Sequence, residues 1–168
     1  MAKKPKRPAS EAKNLRRRKR QPPGSAVYAG PARAEPIGAY VTDYDVHQIS
    51  ARAPIAPDEV GPPAAGVRWV DVDGVHDAEV VHVICHALGV HPLAMEDVLN
   101  PATRPKGDDY GDTLFVAAKV ARIVDDALQL EQITLVLGPS YVLTFQERPS
   151  DVFDAVRQRM QASRARVR

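Results

Sequence analysis

Two periodicities alternate along this chain. Over residues 67–74, "VRWVDVDG", Val67, Trp69, Asp71 and Asp73 alternate with Arg68, Val70 and Val72, and Gly74 ends the run. Period two predicts a strand. The period then lengthens. Val80, Val83, Ile84, Ala87 and Leu88 fall at i, i+3, i+4, i+7 and i+8, the apolar stripe of a helix. Asp77 is its expected N-cap, Glu79 lies where the helix dipole favours negative charge, and Gly89 is the expected C′ residue. Pro92 opens a second, short helix, and Asn100-Pro101 closes it.

From residue 112 the period returns to two. "DTLFVAAKVARIV" (112–124), "ALQLEQITLVLG" (127–138) and "YVLTFQER" (141–148) are β-rich runs joined by Asp125-Asp126 and Pro139-Ser140. Connections this short predict an antiparallel three-stranded meander. Ser150 is the expected N-cap of a further helix, with Val152, Ala155, Val156 and Met160 as its stripe. That helix has no C-cap signal before Arg168, so a longer parent chain is expected. Upstream, "SAVYAG" (25–30) and "IGAYVTD" (37–43) each predict a short strand. Residues 47–66, rich in Pro, Ala and Gly, have room for one short helix. The expected fold class is α/β: a mixed β-sheet sandwiched by helices (α/β/α), with a C-terminal antiparallel three-stranded meander and the start of a further helix.

Charge divides the chain unevenly. Residues 1–20 hold ten of the 23 basic residues and one of the 21 acidic ones, leaving 13 basic against 20 acidic in the body. Residues 1–24 have almost no large apolar side chains, so a disordered basic tail is expected there and a single folded domain over 25–168. A solvated tail is the simplest reading of that segment. Anionic lipid is the partner class it suits next. Without an aromatic residue to stack on a base, any nucleic-acid contact would be electrostatic and not sequence-specific. No apolar signal region opens the chain, and one cysteine, Cys85, fits a reducing compartment. Residues 80–95, the longest stretch considered as a membrane span, contain three histidines, a glycine and a proline, and their apolar positions are periodic. They read as a helix and a turn, not a span.

Catalytic signatures are missing from the pattern. There is no G-x-S-x-G turn, Cys85 sits mid-helix without an activating base, and no Gly-rich phosphate loop follows a strand. A non-enzymatic role without an organic cofactor is expected. "DVDG" resembles the start of a calcium loop, but the twelfth position is His82, where an acid is needed. Glu79, His82 and His86 share one side of a helix, open to two readings: a solvated polar face, or three groups meeting one metal ion. Glu96 and Asp97 sit side by side in the short helix, about 100° apart around its axis, so one turn cannot chelate an ion with both. On spacing alone, surface charge is the simpler reading of the two. Any useful site would need oxygens from another segment or subunit.

The order of motifs adds more. "PPGSAVYAG", "WVDVDGVHDAEVV", "LGVHPLAMEDVLNPATRPK", "LEQITLVLGPSYVLTFQE" and "DVFDAVRQRM" follow one another from about Pro22 to the C-terminus. Together they resemble the N-terminal cytoplasmic domain of CorA-type magnesium/cobalt transporters. The resemblance implies a homopentamer whose cytoplasmic domains form a funnel. A stalk helix would lead to two C-terminal membrane helices and a Gly-Met-Asn selectivity signature, none of which occurs in these residues. It also implies divalent cations, Mg²⁺ or Co²⁺, bound as regulatory ligands between neighbouring domains, holding the pore closed. Carried over by position, Asp97 and its neighbour Glu96 fall on the family's regulatory metal ligands, with partner carboxylates expected from the stalk. The implied place is the cytoplasmic face of the cell's inner membrane, the chain alone being soluble. Two alternatives accompany this reading: a zinc-transporting relative, or a stand-alone soluble divalent-metal-binding module. A nucleic-acid-associated role through residues 3–20 is the third.

Overall fold

The computed structural model describes residue 22, residues 26–124 and residues 126–162. The basic tail, apart from Pro22, lies outside the described residues. Among the described residues seven strands form one sheet: β1 (Gly38–Tyr44), β2 (Ala53–Pro54), β3 (Val67–Asp73), β4 (Lys106–Asp109), β5 (Leu114–Val124), β6 (Ala127–Leu137) and β7 (Tyr141–Gln146). Their spatial order is β2-β1-β3-β7-β6-β5-β4. Only β3 and β7 pair in parallel; the other neighbours are antiparallel. The expected mixed sheet and the β5–β6–β7 meander are both present.

Helices α1 (Ala78–Ala87) and α2 (Pro92–Val98) cover one face. Beneath them Val70, Val72, Phe115, Val136, Leu143 and Phe145 build the main core with Val81, Ile84, Cys85, Val98 and Leu99. Helix α3 (Asp154–Gln161) covers part of the other face, where Phe153 and Met160 pack with Trp69. The alternation read along β3 is therefore real, but both of its faces are covered, so Trp69, Asp71 and Asp73 are as buried as Val70 and Val72.

Both caps of α1 follow the pattern. The Asp77 carboxylate accepts from the Glu79 and Val80 amides. At the other end Gly89 has φ 67°, and its amide donates to the His86 carbonyl while Val90 donates to the Cys85 carbonyl. This double closure needs a left-handed residue, and glycine takes that conformation at little cost. Pro92 is the first residue of α2, and His91 before it accepts the Leu93 amide on Nδ1 at 3.2 Å.

Three expectations are corrected, and the one for residues 47–66 is made specific. Residues 26–30 form no strand: Ala29 donates one amide bond to the Leu99 carbonyl, and the segment docks on the end of α2 as an extended strap. The one short helix for which residues 47–66 had room is a single 3-10 turn, Pro57–Glu59, and β2 precedes it. On α1 the fully buried residues are Val81, Ile84 and Cys85, with Val80, Val83 and Ala87 half-buried, because the 3-10 turn packs on the same helix and widens its apolar arc. The N-cap of α3 is Phe153, not Ser150; Ser150 bonds the Gln146 side chain, and Ala155 faces solvent. Strand β4 was not anticipated, since "KGDD" has no apolar alternation.

Candidate functional site

Helix α2 ends against a tight turn, and this turn builds the site. The Asn100 side-chain oxygen accepts the Ala102 amide, and its Nδ2 donates to Thr103 Oγ1 at 2.9 Å. Asn100 and Thr103 are both buried. The chain thereby doubles back, and Lys106, the first residue of β4, arrives beside the helix it has just left.

Asp97 is the centre of the cluster. Thr103 Oγ1 donates to its Oδ1 at 3.3 Å, and the Lys106 ammonium lies 2.6 Å from its Oδ2. The same ammonium lies 2.6 Å from Asp108 Oδ2 on β4. One lysine thus bridges two carboxylates, one from a helix and one from the neighbouring sheet edge. Burial opposes the charge on Lys106, but its bonds to Asp108 and Asp97 outweigh it and hold the ammonium above the usual lysine pKa. The Asp97 side chain keeps 17% of its surface exposed and Asp108 36%.

The backbone under Asp97 is fixed as well. Its carbonyl accepts Gln132 Nε2 at 3.1 Å, and Gln132 is held in turn by Lys119 Nζ at 3.0 Å. Lys119 reaches across to the Pro101 carbonyl at 2.5 Å. The His91 ring that caps α2 stacks on Tyr110, just past β4, with centroids 4.5 Å apart. The carboxylate is held in position from behind and meets solvent in front.

A carboxylate offers about four lone-pair directions, and the bonds to Thr103 and Lys106 leave some of Asp97's open. Hard oxygen donors of this kind suit Mg²⁺-like ions, which keep several waters and take one or two carboxylates. Among the described residues no group of three or more His, Cys, Asp or Glu side chains is placed to hold a metal ion. Glu96 is half-buried and already engaged. The family resemblance, not the residue spacing, pointed to Asp97 and Glu96, and neither pointed to Lys106, Asp108 or Thr103. The charge-rich "RPKGDD" was the available signal, and only the turn at Asn100 shows where it folds.

A second polar constellation lies under α3. Asp71, 2% exposed, accepts Thr144 Oγ1 at 2.8 Å and Gln146 Nε2 at 3.4 Å on Oδ1. Its Oδ2 takes Arg52 at 3.2 Å and also Arg157 from α3. Asp73 shares Arg52 and Gln146. Burial, reinforced by the charge of Asp71, pushes the Asp73 carboxyl above its usual range. The "DVDG" carboxylates are therefore engaged by arginines. Glu79, His82 and His86 are not gathered into a three-ligand metal site either. Burial pushes the Cys85 thiol pKa up, which leaves it unreactive.

Comparison with known proteins bears on the family and the fold. A family model described as "CorA-like Mg2+ transporter protein" matches residues 64–168. The cobalt/magnesium transport protein CorA of Thermotoga maritima is 33% identical over 162 residues, covering 94% of this chain and 46% of that protein. The chain thus spans about half the length of this curated relative. Among solved structures, the soluble domain of CorA from Methanocaldococcus jannaschii superposes with a TM-score of 0.55 at 10% identity, covering 79% of this chain and 49% of that one. The ZntB cytoplasmic domain from Vibrio parahaemolyticus gives 0.55 at 11% identity, covering 77% and 51%. At those identities the likeness is one of fold.

Proposed function

This chain belongs to the family of CorA-like Mg²⁺ transporter proteins, and we propose that it is the cytoplasmic metal-sensing domain of a divalent-cation channel or transporter. In this reading the domain works at the cytoplasmic face of a membrane, as one protomer of a homo-oligomeric, pentameric ring. Mg²⁺ or Co²⁺ is both cargo of the complete protein and regulatory ligand. Asp97, with Glu96, is one protomer's share of an intersubunit site. Among the described residues no helix is long and apolar enough to cross a membrane.

The observation that supports this most is the cation already bound to Asp97. The Lys106 ammonium sits between two carboxylates, where a divalent ion would neutralise the same charges. An arriving ion competes with Lys106 for Asp97, and a neighbouring protomer's oxygens tip that competition. Metal then favours the assembled state by binding it better than the loosened one.

The test is thermal stability with and without Mg²⁺, in this chain and in a version extended to its relative's length. The extended protein is expected to gain a large shift that Asp97→Ala removes, while this chain alone responds weakly. A large shift in this chain alone, unchanged by Asp97→Ala, would overturn the half-site reading. A zinc-transporting role is the second reading, because the fold matches the ZntB domain as well as the CorA soluble domain. Repeating the titration with Zn²⁺ separates the two.

A further inference from the structure

The outer side of α1 carries an arrangement that the Asp97 site does not use. His82 and His86 stand one helical turn apart, both exposed to solvent. Their rings already face each other, with centroids 5.9 Å apart and planes inclined by 23°. The helix beneath them is firmly anchored by the Asp77 cap, the Gly89 closure and the buried Val81, Ile84 and Cys85. The two imidazoles are therefore presented on a rigid frame, which lowers the ordering cost of binding.

Their spacing, i and i+4, is the one by which two histidines on a single helix face hold a metal ion. A zinc–nitrogen bond is about 2.0–2.1 Å long, so small ring rotations let both nitrogens reach one ion between them. Imidazole suits borderline transition ions, whereas Mg²⁺ prefers oxygen and keeps its water. The helix lacks the acid that follows the first histidine in hydrolytic zinc motifs: Val83 stands there. Such a site binds and does not catalyse.

We propose that His82 and His86 form a surface chelate for one divalent transition-metal ion (Co²⁺, Ni²⁺, Cu²⁺ or Zn²⁺), with water completing the coordination. The domain then has two places for cations with opposite preferences. Oxygen donors at Asp97 favour a hard ion, and the nitrogen pair on α1 favours a softer one. This chelate stands independently of the role given to Asp97.

Calorimetric titration of the tag-free chain with CoCl₂, NiCl₂, CuCl₂, ZnCl₂ and MgCl₂ is the direct test. One transition ion per chain is expected, with affinity rising from Co²⁺ through Ni²⁺ to Cu²⁺. His82→Ala or His86→Ala should each weaken binding on the order of tenfold or more, and the double variant should abolish it. Excess Mg²⁺ should leave it unchanged. Because both histidines are exposed, circular dichroism should report an intact fold in all three variants. Unaltered binding in the double variant, displacement by Mg²⁺, or no transition-ion binding by the wild-type chain would overturn the proposal.

Discussion

Two carboxylate clusters lie on opposite faces of one sheet, and they are built differently. Asp71 is closed: a hydroxyl, an amide and two guanidiniums take its oxygens, and α3 seals it from water. Arg52 is further fixed over the Tyr40 ring at 3.4 Å, and Arg157 lies over Trp69 at 5.2 Å. Asp97 is open: one hydroxyl and one flexible ammonium hold it, and solvent reaches the rest. A closed cluster suits structure, because exchange of any partner leaves a buried charge uncompensated. An open one suits exchange, because water can replace the partner that leaves. By this criterion, the more highly charged cluster is the structural one.

The largest expected effect follows from breaking the closed cluster. Asp71→Ala removes the buried carboxylate on which Arg52 and Arg157 converge, leaving them Asp73 and Asp154; loss of one partner from a buried ion network costs up to about 3–5 kcal/mol. Urea unfolding should show that loss as a lower midpoint. A change within experimental error would mean that the two arginines find water in the variant, and that the closed description is wrong.

Opening the other cluster should cost far less and change binding instead. The Lys106 ammonium lies 5.5 Å from the Phe115 ring centroid, and Lys106→Met keeps an unbranched apolar side chain there while removing the charge. Half-exposed ion pairs contribute about 0–1 kcal/mol, so stability should barely move. Freed from its internal cation, the Asp97–Asp108 pair should bind Mg²⁺ more tightly than wild type in the extended protein. Weaker binding would show Lys106 to be a support for the site and not a competitor.

The contrast between these clusters was only partly legible in the sequence. Caps and turns are local, so Asp77, Gly89 and Pro92 revealed where α1 and α2 begin and end. The meander was readable because its turns are short and its period is unambiguous. Burial of Asp71 was not readable, because it depends on Arg157, 86 positions later, swinging back over β3. On α3 the stripe residues Val152, Val156 and Met160 pack on the sheet as read, whereas Ala155 faces solvent and Phe153, placed by Trp69, was not anticipated. Asp97 was reached by motif order, and its partner Lys106 was hidden because it lies across a turn whose closure depends on buried Asn100 and Thr103 bonds. Local interactions write themselves into pattern, whereas pairings across folds do not.

Glu147, a third carboxylate, joins the two descriptions and gives the smallest effect. It accepts the Gln132 amide at 2.7 Å, and the Gln132 side chain supports the Asp97 carbonyl. The Arg33 guanidinium lies 3.7 Å from its carboxylate. Burial pushes its pKa up, and the Gln132 amide and the charges of Lys119 and Arg33 only partly offset this. A carboxyl whose folded pKa is raised binds more protons folded than unfolded, so its contribution to stability is greatest below the unfolded value of about 4.3 and falls as pH rises through the folded pKa. Glu147→Gln keeps an acceptor for the amide and removes the titration. The variant should match wild type in acid, where Glu147 is protonated, and melt at a higher temperature near pH 7. A variant that melts lower at pH 7 would mean that Arg33 and Lys119 outweigh burial, and Glu147 would then belong with Asp71 among the carboxylates that hold the fold by their charge.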